Sequence, residues 1–176
     1  VLGAWRAWAM GLAYSATGNV RAARESLKTL RESATALKAG PESALGIAAT
    51  ELNATLDARN GDVRGAWKQF RDAADREAAM IYSEPPPYPR PVVEGWGNLA
   101  YALKDFEAAD RAYSEALVRE PGSGRAYLGR AAALRALGRS TEANDQLARA
   151  RNSWNNADPQ LPEMAPLRAA VIPASA

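Results

Sequence analysis

Few side chains in this sequence are equipped to make or break bonds. The 176 residues include neither histidine nor cysteine, which removes thiol nucleophiles, imidazole bases and the usual zinc and haem ligands. Serines are present, but none stands in a Ser-x-x-Lys arrangement, so none has a base at motif spacing. Glu51 and Asp57 are near enough in sequence to be considered for acid–base work, yet carboxylates on an exposed helix are ordinarily a solvated face. Gly122-Ser123-Gly124 with Gly129 is only faintly like a phosphate loop. The spacing is not G-x-G-x-x-G and no Gly-Lys-Ser follows, so it reads as a turn between helices. With oxygen ligands alone, Ca²⁺ or Mg²⁺ would be the metals to consider, and no acidic loop of regular spacing exists to hold them. The expectation is a protein with no catalytic residue, no metal and no cofactor, and so not an enzyme.

Two short motifs concern recognition instead. Pro85-Pro86-Pro87-Tyr88 has the P-P-x-Y form read by WW domains, although a rigid connector explains the same residues. Asn53-Ala54-Thr55 is a glycosylation sequon, but it falls inside a predicted helix.

The elements that must position these residues are helices. Composition is 47% hydrophobic and 24% charged, rich in alanine and poor in Val, Ile, Thr and Phe, which favour strands. Net charge is +2 and no block of five like charges occurs, so nothing demands nucleic acid. No apolar stretch is long enough to predict a membrane span. Arginine outnumbers lysine, which hints at a GC-rich bacterial genome. The start at Val1, with Trp5, Trp8 and Met10 already in helical register, reads as a piece trimmed from a longer precursor. A targeting segment would then be missing, and cytoplasm and periplasm stay equally open.

A short turn recurs between alanine-rich stretches at Thr17-Gly18-Asn19-Val20, Asn60-Gly61-Asp62-Val63, Lys104-Asp105-Phe106 and Leu137-Gly138-Arg139-Ser140. Each is followed by a small residue and, four later, a large one: Ala23/Leu27, Ala66/Phe70, Ala109/Tyr113 and Ala143/Leu147. That spacing puts both on one helical face. Upstream of each turn lies another amphipathic stretch, as in Val93, Trp96, Gly97 and Ala100 or Ala7, Met10, Gly11 and Tyr14. Each unit is therefore helix, tight turn, helix. The glycines supply the positive φ that ends the first helix, Asp62 and Ser140 are candidate caps for the next, and Lys104 predicts a strained third turn. Small residues at Gly11, Gly97 and Ala131 allow close helix approach. The second unit fits this pattern only with a one-residue slip, through Ala49, Leu52 and Leu56, which implies a longer turn at Arg59-Asn60.

These residues resemble the tetratricopeptide repeat (TPR) family, patterned W-x2-L-G-x2-Y, then A-x3-F, then P. The third unit carries it best, through Trp96-Gly97, Ala109, Tyr113, Ala116-Leu117 and Pro121. The resemblance implies an all-α fold, a right-handed superhelical array of about four helix-turn-helix repeats over residues 1–158 (about 1–38, 41–81, 90–121 and 123–156). Residues 82–91 form a proline-rich connector between repeats two and three, expected to be extended. Residues 159–176 form a tail, with a short capping helix around 163–170. Trp67, Trp96 and Trp154 are expected in the core.

The resemblance also implies a function: a protein–protein interaction scaffold whose concave groove holds a peptide or a partner helix. Carried over unit by unit, the groove is lined by Trp5, Trp8 and Leu12; by Thr50, Glu51 and Asp57; by Glu94, Asn98 and Tyr101; and by Arg125, Leu128 and Arg135. Glu94 stands where members that clamp a C-terminal carboxylate carry lysine, so a mixed-charge extended peptide or a helix suits this groove better. Trp5 and Trp8 either anchor a ligand or were covered by a preceding segment. The alternative function is structural, the repeats self-associating or docking on the rest of a larger chain.

Overall fold

Each turn between paired helices is built on one residue in the left-handed region of backbone space. The computed structural model describes residues 1–81, 83–158, 160–165 and 167. In it Gly18, Gly61 and Gly138 have φ of 77°, 100° and 77°, and Lys104 takes the same position at 64°. Glycine adopts this conformation without a Cβ clash, whereas Lys104 carries the strain its side chain predicts.

The residue directly after each turn residue begins the next helix. Asn19, Asp62 and Asp105 accept hydrogen bonds from the backbone N–H of Ala22, Gly65 and Ala108 at 3.2, 2.9 and 3.0 Å. Each such cap stabilises its helix by about 1 kcal/mol. In the fourth turn the expected cap, Ser140, is already the first helical residue, because the cap position falls on Arg139. Arg139 has no acceptor to offer, and its guanidinium instead pairs with Glu142 at 2.6 Å and Asp110 at 3.0 Å.

Among the described residues the chain is all-helical and without strands. It divides into two compact units, the first Val1–Trp96 and the second beginning at Gly97. The first unit contains α1 (Leu2–Ala16), α2 (Val20–Ala36), α3 (Ala44–Arg59) and α4 (Val63–Ala78), and ends within α5 (Val92–Ala102). Here α1 packs on α2, α3 packs on α4, and α3 also contacts both helices of the first pair. The second unit continues with α6 (Phe106–Arg119), α7 (Gly124–Ala136) and α8 (Ser140–Ser153). In it α7 packs against α6 and α8. Consecutive helix pairs thus stack on their neighbours within each unit, as in a helical repeat array. None of the described helices is long and apolar enough to cross a membrane.

The repeat register holds in all four pairs, and it corrects the second. Ala23, Ala66, Ala109 and Ala143 are completely buried, and Leu27, Phe70, Tyr113 and Leu147 are buried beside them. Counting back seven residues from each turn residue gives Gly11, Ala54, Gly97 and Ala131. The turn at Asn60-Gly61-Asp62 has the same length as that at Thr17-Gly18-Asn19. The expected longer turn does not exist: Ala54, fully buried, holds the small position at the regular spacing, and Leu52 and Leu56 are buried as expected.

In the second unit small residues seat one large ring. A Cβ on Gly97 would lie 2.8 Å from the Tyr113 ring, and one on Gly129 would overlap the same ring from α7. Gly129, read from sequence as part of a loop, is mid-helix, and Gly124 opens α7 beneath the Trp154 ring. Trp96 is buried against Phe70 in the first unit and Trp67, half-buried, flanks both, ring centroids 6.0–6.4 Å apart. Trp154 is half-buried.

The tail does cover the last repeat as far as it is described. After a 3-10 turn at Pro162–Met164, Leu167 buries itself against Ala131, Leu147 and Ala150, and its carbonyl accepts from Arg151 at 3.1 Å. Residues 166 and 168–170 of the expected capping helix lie outside the described residues.

Candidate functional site

Position within the repeat decides which side chains share a face. Ten residues before each turn residue stand Trp8, Glu51, Glu94 and Leu128, and thirteen before stand Trp5, Ala48, Pro91 and Arg125. In the first unit this register brings Trp5 and Trp8 of α1 beside Glu51 of α3.

Glu51 is not part of a solvated face. It is completely buried where α3 meets Trp8 of α1 and the connector that leads into α5. Three donors converge on its carboxylate. Trp8 Nε1 and the Tyr88 hydroxyl donate to Oε2 at 2.9 and 2.6 Å, and Arg90 Nη2 donates to Oε1 at 2.8 Å. Gly95 of α5 passes so close to Oε1 that a Cβ there would collide with it. A carboxylate withdrawn from water is tolerated only when paired and hydrogen-bonded in this way.

The aromatic rings close the site from the other side. Trp5, Trp8 and Tyr88 meet edge to face, with centroids 5.7, 5.8 and 5.9 Å apart. The Arg90 guanidinium lies 5.6 Å from the Trp8 ring centre, a cation–π contact added to its ion pair. Among the described residues Trp8 is buried, and Trp5 lies against Tyr88 while staying partly exposed. The connector, through Tyr88 and Arg90, packs on both rings.

That connector is non-helical, as its prolines require, but it bends instead of running straight. Residues 83–87 and Pro89 are exposed, Tyr88 is buried and Arg90 is partly so. With Tyr88 buried, the P-P-x-Y motif cannot be read by a WW domain in this conformation. At the far end, the Val92 N–H donates to Glu77 Oε2 at 2.7 Å, which caps the start of α5. Tyr82 lies outside the described residues.

Burial, with the Glu51 carboxylate second, pushes the Tyr88 hydroxyl far above tyrosine's ordinary range. The unfolded chain ionises this group at about pH 10 while the folded protein keeps it protonated. The resulting stability is complete below that pH and is lost as pH rises above it. Tyr88→Phe is expected to cost about 1.5–3 kcal/mol at neutral pH through the lost bond to the carboxylate. It should also flatten the fall in stability above pH 10, read from urea denaturation at several alkaline pH values.

The other sequence-derived groove residues separate into two sets. Thr50 and Asp57 were placed there by the false slip, and the true register puts Ala48, Thr55 and Ala58 beside Glu51. Asp57 instead accepts from Asn53 and from Gln69 of α4, both at 2.8 Å, and the Thr50 hydroxyl bonds back to the Gly46 carbonyl. Leu12 is half-buried and Glu94 buried. In the second unit Asn98, Tyr101, Arg125 and Arg135 are exposed. Asn98 Oδ1 accepts from the Tyr113 hydroxyl at 2.7 Å, Tyr101 lies against Phe106 at 5.4 Å, and Leu128 packs partly on the Leu147 cluster. Tyr88 and Arg90 were not foreseen as site residues. The one signal available was a Glu51 that falls on a buried repeat position once the register is right.

No protein-family model and no curated protein matches this chain.

Proposed function

We propose that the protein is a TPR-type interaction scaffold that captures a partner polypeptide on the face formed by the first helices of its repeats. The observation that supports this most is the seat of the connector. A non-helical, proline-rich polypeptide already lies on the α1/α3 face, held there by side chains from successive repeats. A surface that takes such a segment has the chemistry a peptide-binding groove needs: aromatic platforms, one buried anion and little loop to reorganise. On this reading the work is binding, without catalysis or cofactor, and the repeats continue as a superhelical array.

The exposed second-unit positions supply the test. Tyr101→Ala with Arg135→Ala is expected to lose most of the partner retained from native lysate, while circular dichroism and melting temperature stay unchanged, since both side chains are exposed. Retention at the wild-type level would count against the reading.

One observation favours self-association as a second reading. A cleft of about 630 Å³ between α1 and α2 is lined by Ala7, Met10, Tyr14 and Ala22, and Val1, Leu2 and Val20 are exposed on the same helices. Sedimentation across a concentration range separates the two, a dimer lost on Met10→Glu favouring the second.

A further inference from the structure

The α1/α3 face is incomplete without its occupant. Of the three donors to the buried Glu51 carboxylate, only Trp8 belongs to the stacked helices, and Tyr88 and Arg90 arrive on the connector. With the connector removed, Trp8 alone of the three donors would remain, and water would have to satisfy the rest of the carboxylate. An occupant that seals this face from water must bring donors to both carboxylate oxygens.

On the α1/α3 face the connector is held through the Tyr88 and Arg90 side chains, while the Val92 N–H fixes its far end on Glu77. Pro85, Pro86, Pro87, Pro89 and Pro91 have no N–H, so the backbone at those positions cannot donate to the helices. The residues on either side of Tyr88 are exposed, and Arg90 keeps 29% of its side chain in solvent. Nothing in this mode of attachment requires that the segment belong to the same chain. Its advantage is the tether: α4 ends at Ala78 and α5 begins at Val92, so the local concentration of Tyr88 at its seat is about millimolar or higher.

Taken with the scaffold reading above, on which it rests, this points to a competition. We propose that residues 88–90 occupy the place of a partner segment, so that the α1/α3 face recognises a non-helical, proline-flanked Tyr-x-Arg sequence and the protein's own connector keeps that face shut. The phenol supplies the short bond to Oε2 and the edge-to-face contacts with Trp5 and Trp8. The guanidinium supplies the bond to Oε1 and stacks over Trp8. A lysine would reach the carboxylate but lacks the planar group for the ring, and a phenylalanine leaves Oε2 a donor short. A partner that binds must first displace the connector, which makes occupancy of this face a switch between a closed and a loaded state.

The test uses the full chain and a fluorescent peptide of the sequence Ser-Glu-Pro-Pro-Pro-Tyr-Pro-Arg-Pro, followed by anisotropy. Tyr88→Ala/Arg90→Ala vacates the face and is expected to bind the peptide at least about tenfold more tightly than wild type, since the tethered competitor is gone. The same peptide with Phe and Gln in place of its Tyr and Arg is expected to bind neither protein. Because the alanine variant leaves Glu51 short of donors, Tyr88→Phe/Arg90→Gln is measured beside it. This second variant keeps a ring on Trp8 and an amide donor near Oε1, and is expected to show a smaller gain in the same direction.

Equal affinity for wild type and both variants, or no binding to a variant that circular dichroism shows folded, overturns the proposal. So does failure of both variants to fold, which would make the connector a structural strap. A wild-type dimer that dissociates in the alanine variant overturns closure within one chain and assigns the occupant to a second copy. If Tyr101→Ala/Arg135→Ala abolishes partner capture while no peptide binds the vacated face, this inference fails and the scaffold reading stands. If neither effect is seen, both fail.

Discussion

Glu51→Ala is expected to destabilise the protein by about 3–5 kcal/mol, the cost of breaking a buried, hydrogen-bonded charge pair by deleting one partner. The substitution removes the only acceptor shared by Trp8 Nε1, the Tyr88 hydroxyl and Arg90 Nη2. Arg90 is partly exposed and turns to water, but the phenol and the indole N–H stay buried without a partner, each at about 1–3 kcal/mol. The connector loses both of its anchors at once. The Trp5, Trp8 and Tyr88 rings should then separate, so the fluorescence of Trp5 and Trp8 changes even where the helices survive. Glu51→Gln keeps the volume and one acceptor oxygen, but turns an amide donor toward the Arg90 guanidinium. It should fall between the alanine variant and wild type. Urea denaturation followed by tryptophan emission reads both. An alanine variant within about 0.5 kcal/mol of wild type, the range of ordinary surface substitutions, would mean that Glu51 is not buried and bonded as described.

The second large effect is at Tyr113, where Tyr113→Ala is expected to cost about 3–5 kcal/mol, as for other buried aromatic truncations. The ring is 3% exposed and lies between Gly97 of α5 and Gly129 of α7, with its hydroxyl bonded to Asn98. It is the part that joins three helices of the second unit. The converse substitution, Gly129→Ala, puts a methyl into the ring and should cost about 1–3 kcal/mol by overpacking. The ring cannot retreat, because Gly97 closes the other side. Both substitutions act on one space, so their costs should not add: in a Tyr113→Leu background, Gly129→Ala should become nearly neutral. Additive losses in that cycle would show that the ring is not clamped between the two glycines.

Much of this architecture is readable from local pattern. The glycine turns, the small-then-large pairs such as Ala66/Phe70 and the non-helical run at 84–91 follow from rules acting over four residues or fewer, so spacing alone reveals them. The one strained substitution in that scheme, Lys104 at φ 64°, was visible for the same reason. The errors were local too. Ser140 was taken for a cap because serine usually is one, although the turn places Arg139 there. The second repeat suggests a one-residue slip because Ala49, Leu52 and Leu56 are the apolar residues beside polar Thr50, Asn53 and Asp57 at the regular positions. That slip carried Thr50 and Asp57 onto a face they do not share.

What the amino-acid sequence determined by itself is the set of helices, their pairing and the interior positions of each repeat, since helix periodicity and left-handed turns depend only on near neighbours. The tertiary structure alone decided that Glu51 is buried, and that Tyr88 and Arg90, 37 and 39 residues further along, complete its bonds. A segment of prolines has no periodicity to announce which surface it crosses. Its destination depends on side chains that meet only after the helices have stacked, and a carboxylate looks the same in sequence whether water or a phenol will satisfy it.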